Sequence, residues 1–343
     1  MSSCPDPRRS LRICHFLRRH HLRQDARDGI LSRQSASQRQ MDLPAVTPPL
    51  LSSRIVSLSP DLTICICTRN RVEALAGALS SIKDSAAPVA RVVVSDDGPD
   101  EATRALVVNS PLPATYTVGP GRGLAANRNH ALRHVQSRYV LFLDDDCRLA
   151  PNFWDLTSAA MQEHESRLGH GSVIVTGAEC KNGTIVTPSD QTFLGFQARP
   201  YRECVGLKTV VINSAVFPTD RVQRALFDSR LRYGCEEVDL TTRLVADGAT
   251  IVYCGDAVND HLQSLDGRTG YAVEAAASRL YVTFKRYAFT DRRRGAACAF
   301  AVLAPLHMLV SAATRRAGKL TVTDALVAIL RASAHALSFA FEH

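Results

Sequence analysis

Five apolar residues, Tyr139 to Leu143, run directly into three consecutive aspartates, Asp144, Asp145 and Asp146. A short unbroken apolar run of this kind reads as a strand buried on both faces of a sheet. Ligands of open α/β sheets gather where such strands end. Three adjacent carboxylates repel one another unless a cation lies among them. Hard cations such as Mg²⁺ or Mn²⁺ take oxygen ligands and can share them with a substrate diphosphate. A helix N-terminus after the strand would also use an aspartate, as cap and dipole partner, but one suffices for that. The run therefore points to a divalent cation site at the carboxyl edge of a parallel sheet.

The segments before it supply that sheet. Thr63 to Thr68 reads as a buried strand, and Val72, Leu75, Ala76, Leu79 and Ile82 recur at helical spacing. Arg91 to Ser95 is a second strand that ends in Asp96-Asp97-Gly98. Glu101 to Val108 reads as a helix, Ala114 to Val118 as a strand and Gly123 to Val135 as a helix. Strands and helices in strict alternation mean a parallel sheet with crossovers. The loops after Thr68, Ser95 and Leu143 then share one edge. Beyond it, Pro151 opens a helix to about Arg167, Ser172 to Gly177 is a strand, and residues 179–207 read as a loop region facing substrate. Leu207 to Phe217 is expected as a strand, and the acidic segment after Tyr233 as a helix that stops at Gly248 before a strand from Thr250 to Tyr253.

The chain has 343 residues, 45% hydrophobic and 22% charged, which excludes disorder throughout and suits one large core or two modest ones. Its formal charge of +8 collects at the ends: nine arginines against four aspartates in residues 1–50, and eight bases against Asp291 in residues 281–320. Such clusters suit an anionic membrane surface. The interleaved aromatic and basic residues of RNA binders do not occur, so nucleic acid is not an expected partner. The ten cysteines form no Cys-x-x-Cys pair and read as cytosolic thiols, with Cys65 and Cys67 packing on one face of the first strand. No apolar stretch of signal-peptide length opens the chain. Residues 1–60 read as a disordered basic leader, and Met41, where the basic run ends, offers an alternative start.

In order along the chain, ICTRNR (66–71), VVVSDDG (92–98), GRGLAANRNHAL (121–132), YVLFLDDDCRLAPNF (139–153), the block 227–253 around Glu236-Glu237, and NDHLQS (259–264) resemble the landmarks of glycosyltransferase family 2. The resemblance covers Leu62 to about Ala288. It implies a GT-A fold, a Rossmann-like mixed sheet with helices on both faces, over residues 61–290. It also implies inverting, metal-dependent transfer of a sugar from a nucleotide-diphospho-sugar to an acceptor hydroxyl on a cell-surface glycan or lipid-linked acceptor. By the same resemblance, Asp97 reads the nucleobase, with Thr68, Asn70 and Arg71 in the same pocket. Arg128 lies near the nucleotide, Asp146 holds Mn²⁺ or Mg²⁺, and Asp144 or Asp145 assists toward the ribose. Glu237 is the general base, with Glu236 as its alternate, because this chain has Glu-Glu where the family usually has Glu-Asp. His261 completes the metal shell.

Each residue has a plainer reading: Asp96-Asp97-Gly98 as a turn, Arg128 as a helix-surface charge, the two glutamates as dipole partners, His261 as a hydrogen-bonded structural residue. Phe227-Asp228 is expected to fix a turn. Rival functions are a nucleotidyltransferase, whose glycine-rich basic loop CTRNR lacks, and a non-catalytic nucleotide-sugar-binding protein of the same fold. Residues 291–343 form a C-terminal helical segment. Its uncharged stretch 295–313 just reaches membrane-spanning length, and Leu326, Ile329, Leu330, Leu337 and Phe341 line one face of a second helix. The pair is expected to lie on the inner face of the plasma membrane, or else to pack on the core or in a dimer, rather than to span the bilayer, which leaves the protein cytoplasmic or peripheral.

Overall fold

A computed structural model describes residues 61–85, 87–201, 205–263, 269–314 and 320–342. The leader and Met41 lie outside the described residues. Four parallel neighbours form one half of a mixed sheet: β1 (Leu62–Thr68), β2 (Val89–Asp96), β3 (Ala114–Val118) and β4 (Tyr139–Asp144). The other half contains β5 (Cys147–Arg148), β6 (Val173–Lys181), β7 (Thr184–Val186), β10 (Ala215–Pro218) and β11 (Thr250–His261). The order across the sheet is β3-β2-β1-β4-β10-β6-β11-β5, with β7 on β6. β10 runs antiparallel to both β4 and β6, so the expected mixed sheet is present. β8 (Ser189–Gln191) and β9 (Gln197–Pro200) form a separate hairpin.

Strand residues alternate strictly between two hydrophobic layers, as a period of two requires. Ile64, Ile66, Val92 and Val94 point to one face, where α1 (Val72–Asp84), α2 (Glu101–Val108) and α4 (Phe153–Leu168) pack. Cys65 and Val93 point to the other, under α3 (Leu124–Leu132), α5 (Thr219–Ala225), α6 (Glu236–Ala246) and α7 (Ala272–Lys285). Helices cover both faces, which is why β1 is buried along its full length and reads as a continuous apolar run.

Several expected elements differ. Pro151 sits in a turn, and the helix begins at Phe153 after Asn152. Residues 179–207 are a loop only in part, since the end of β6 and the short strands β7, β8 and β9 lie there. The expected strand 207–217 is regular only from Ala215, because side chains take its earlier backbone groups: the Val211 N–H donates to Thr176 Oγ1 at 3.1 Å. β11 does not stop at Tyr253 but continues to His261 through a register shift between Tyr253 and Val258. Gly177 of β6 lies against that irregularity, and a Cβ there would come within 1.9 Å of the Ala257 carbonyl oxygen, so only glycine allows the approach.

The C-terminal helices α8 (Arg294–Ala313) and α9 (Val322–Glu342) are present as expected. α8 buries Ala297, Phe300, Ala304, Met308 and Ala312 at helical spacing, and α9 buries Ala325, Ala328 and Ala332. The alanine stripe lets α9 approach the core closely. The large residues that the sequence pattern placed on one face are turned outward instead: Leu330 is 69% and Phe341 88% exposed, while Ile329 packs partly against the core.

Candidate active site

Register brings the chemistry to one edge. Thr68 pairs with Asp96 across β1 and β2, and Cys67 with Asp144 across β1 and β4, so three strand ends finish level. A cavity of about 570 Å³ opens there, lined in part by Thr68, Arg71, Asp97, Asn127, Asp144 and Asp146. β11 closes the site from the far half of the sheet: His261 pairs with Cys147 of β5, and the Leu262 N–H donates to the Asp146 carbonyl at 2.9 Å.

The three aspartates part ways. Asp144 accepts from Arg128 Nη2 at 3.0 Å, and its N–H donates to Asn213 Oδ1 at 2.8 Å. Asp145 is fully buried and turned away from the cavity, accepting from Thr68 Oγ1 at 2.8 Å and from Arg71. Burial raises its pKa to about 6 against the opposing charge of Arg71. Asp146 faces Arg71 Nη1 at 3.0 Å and His261 Nε2 at 3.3 Å. Burial pushes its carboxyl upward, but His261 and Arg71 outweigh that and hold it below the ordinary range.

His261 lies between two acids. Nδ1 is 3.0 Å from Glu179 Oε2, while Nε2 is buried without a hydrogen bond and faces Asp146 Oδ1. Burial disfavours the charged ring, yet the two carboxylates prevail and raise its pKa to about 9. The donor set fits a divalent cation. Two ligands on adjacent corners of an ion at about 2.1 Å stand roughly 3 Å apart, close to the Asp146–His261 separation of 3.3 Å. A cation there would take the place of the imidazole proton. Cys147 Sγ lies within 4.8 Å of the same atoms, but burial raises its pKa far above the usual thiol value, and a protonated thiol is a poor ligand for a hard ion.

Asp97 lines the cavity and accepts from the Gly121 N–H at 2.9 Å. Asn70 stands in the left-handed region at φ 53° beside Gly98 and does not line the cavity. Arg128, buried on α3, reaches Asp144 from behind and leaves Nη1 without a partner. The acidic pair opens α6. Glu236 is buried and accepts from the Gly234 N–H at 2.6 Å; burial, partly offset by Arg128 and reinforced by Glu237, raises its pKa to about 7. Glu237 is half-buried, and burial raises its pKa too, with Arg128 lowering it and Asp144 and Glu179 raising it. Neither glutamate lines the cavity wall directly.

Sequence reading missed four residues here. Glu179 and Asn213 brace the acids: Asn213 Nδ2 lies 3.3 Å from both Asp144 Oδ2 and Glu179 Oε2. Tyr233 and Tyr271 line the same cavity as Asp97, Asp144 and Asp146. Glu179 fell in a stretch read as loop, Tyr233 lies in the block 227–253 but carried no role there, and Tyr271 lies outside every landmark. The only signal was an acid at the end of an apolar run, Val173 to Ala178, the same pattern that marked Asp144.

Residues 63–214 match the model of glycosyl transferase family 2. Among solved structures, the chain is similar to the mannosyltransferase PcManGT from Pyrobaculum calidifontis in complex with GDP-Man and Mn²⁺, at 17% identity and TM-score 0.52 over 82% of this chain and 88% of that one. It is also similar to GalNAc-T7 with UDP, GalNAc and Mn²⁺, at 12% identity and TM-score 0.53 over 66% of this chain and 48% of that one. No curated protein sequence matches. At such identities the two structures show a shared fold, and the family match supplies the activity class. The landmark loops, the mixed sheet they end, and the match over residues 63–214 agree: the chain carries a glycosyl transferase family 2 domain and is a glycosyltransferase.

Proposed function

We propose that the protein moves a sugar, with inversion, from a nucleotide-diphospho-sugar to an acceptor hydroxyl on a cell-surface glycan or lipid-linked acceptor, and needs Mn²⁺ or Mg²⁺ to do so. The observation that carries this reading is the Asp146–His261 pair, 3.3 Å apart, beside a cavity whose wall also holds Asp97 and Asp144. Asp146 and His261 would hold the cation, with Asp144 beside them. When bound, the cation supplies charge to neutralise the diphosphate leaving group.

The chain's own residues do the rest. Asp97 accepts a hydrogen bond from the nucleobase ring, Thr68 flanks the nucleotide, and Asp144 turns toward the ribose. Arg71 and Arg128 bring fixed positive charge to the acids, and Asp145 anchors Arg71. Glu237 accepts the proton of the acceptor hydroxyl as its oxygen bonds to the anomeric carbon and the bond from that carbon to the phosphate oxygen breaks. A single displacement with one base and no enzyme nucleophile inverts the anomeric centre. Glu236, fixed by Gly234, buttresses the pair and stands as the alternate base. The reading places the protein in the cytoplasm. There, residues 291–343 lie on an anionic membrane surface through the outward apolar residues of α8 and α9, beside the exposed Arg292, Arg293 and Arg294.

The test is a thermal-shift screen of nucleotide-sugars with and without Mn²⁺, because a true donor stabilises the folded state by mass action. It is followed by NMR assignment of the product anomer. No stabilisation by any donor, or a retained anomer, would overturn the reading.

A further inference from the structure

Tyr233 and Tyr271 stack with ring centroids 4.9 Å apart and ring planes 26° from parallel. Both line the same cavity as Asp144 and Asp146. The pair joins distant parts of the chain: Tyr233 lies just before α6, and Tyr271 just before α7.

The placement of Tyr233 is built in. Gly123, at φ 101°, caps α3 so closely against Arg232 that a Cβ there would come within 2.7 Å of the Arg232 Cα. The Leu124 N–H donates to the Arg232 carbonyl at 3.0 Å, and Ser278 Oγ donates to the Tyr233 carbonyl at 2.9 Å. Directly after Tyr233, Gly234 at φ 89° and Cys235 at φ 63° turn the backbone into α6. Left-handed backbone at a cysteine is unfavourable and persists where the surroundings impose it. This turn ties the tyrosine wall to the two glutamates that follow it.

The rim of the stack is polar. Arg69 Nη1 lies 3.5 Å from the Tyr271 hydroxyl, and Arg232 and Glu274 line the cavity beside the rings. Glu274 is held by Arg331 of α9 at 2.5 Å. An aromatic face edged by hydrogen-bonding charges matches a pyranose, which offers an apolar C–H face and a ring of hydroxyls.

We infer that Tyr233 and Tyr271 form the acceptor platform, and that the acceptor presents a sugar ring to it. The inference rests on the sugar-transfer reading. An acceptor hydroxyl must lie between the donor's anomeric carbon and the base. Only the Gly234-Cys235 turn separates Tyr233 from Glu236 and Glu237, which sets the stack on the base side of the reaction. A bare polyprenyl phosphate or a peptide hydroxyl lacks the apolar face ringed by hydroxyls that the stack and its charged rim match.

The experiment uses the full chain with the donor found by thermal shift and a panel of methyl pyranosides as acceptors. Saturation-transfer NMR should show a pyranoside binding the wild type in the presence of Mn²⁺ and the nucleoside diphosphate. Tyr271→Ala should raise the acceptor KM by about tenfold and leave kcat and the donor's thermal shift within about twofold of wild type. Tyr271→Phe, which keeps the stack, should restore most of the affinity. No saturation transfer from any pyranoside, or an acceptor KM that Tyr271→Ala leaves unchanged, overturns the platform even while donor binding persists. Failure of the sugar-transfer reading would show separately, as no donor thermal shift in the wild type.

Discussion

The Nδ1 atom of His261 lies 3.0 Å from Oε2 of Glu179, and the same ring turns Nε2 toward Asp146 at 3.3 Å. A carboxylate behind an imidazole fixes the ring's orientation and tautomer, leaving the far nitrogen free to bind a cation. Glu179 is itself steadied by Asn213 at 3.3 Å. Glu179→Gln should therefore weaken Mn²⁺ binding about 10- to 100-fold, measured by titrating free Mn²⁺ with electron paramagnetic resonance. Unchanged affinity would remove Glu179 from the site.

Glu237→Gln should retain donor binding and lose transfer by about two to four orders of magnitude, the contribution of a general base. Transfer needs the base ionised, and burial raises the pKa of both glutamates, with Glu236 at about 7. Activity should therefore fall on the acid side of neutrality rather than near the usual carboxylate range. A pH–rate profile flat down to pH 5, or a fully active Glu237→Gln beside an inactive Glu236→Gln, would reassign the base. Stability follows the same shift with opposite consequence. Folding favours the protonated Glu236, so as pH rises from the ordinary 4.5 through about 7 its ionisation costs stability. Glu236→Gln should gain in melting temperature over wild type at pH 8 and not at pH 4.

Behind α6, Lys285 is buried between Asp228 at 2.7 Å and Asp239 at 2.8 Å. Tyr281 and Arg230 also donate to Asp228, and Arg230 pairs with Glu342 at the end of α9. Phe227-Asp228, read from sequence as a turn anchor, thus anchors far more: it ties α6 to α7 and to the C-terminal helix. Lys285→Met removes the buried charge between the two carboxylates, leaving Asp228 to Arg230 and Asp239 to Arg243, and should cost about 3 kcal/mol in urea unfolding at pH 7. Burial works against the Asp228 carboxylate, but Lys285 outweighs it and lowers its pKa from 3.8. The stabilisation is present above 3.8 and is lost as pH falls through the folded value. The deficit of the variant should shrink in acid, and a deficit that stays constant down to pH 2 would reject the charge mechanism.

The readable part of this chain is the part with a local signature. β1 and β4 are buried on both faces, so each appears as an apolar run, and the abrupt acids that close β2 and β4 mark the edge. What escaped depends on distant partners. β10 shortens because Thr176 and Asn213 side chains take backbone donors that a ladder would otherwise hold. β11 passes through the exposed Gly255 and Asp256, which break its alternation, and its continuation is what brings His261 to Asp146. Glu179 joins the site only through β11 pairing, where Asn259 stands beside it. The tyrosine stack unites residues 38 apart through a loop and a helix start, which no short pattern encodes.

The last prediction concerns the outer face of the C-terminal helices. Val302, Leu303, Leu306 and Val310 of α8 and Leu326, Leu330, Leu337 and Phe341 of α9 are all exposed, a concentration of large apolar side chains that water does not favour. Both helices are long and apolar enough to cross a membrane by composition, but their inner stripes pack on the same core as α6 and α7, so the contact to test is one in which the pair lies on a bilayer rather than through it. Removing the segment would expose that core, and the informative change is on the surface. Leu303→Gln, Leu306→Gln, Leu330→Gln and Leu337→Gln together should keep the melting temperature within a few degrees, since none of the four is buried. They should also abolish sedimentation with vesicles containing phosphatidylglycerol. Arg292→Gln, Arg293→Gln and Arg294→Gln should weaken the same binding more at low salt than at high salt, because exposed charges near an anionic surface contribute on the order of 1 kcal/mol each and are screened. Undiminished sedimentation of the four-leucine variant would place any membrane contact elsewhere on the protein.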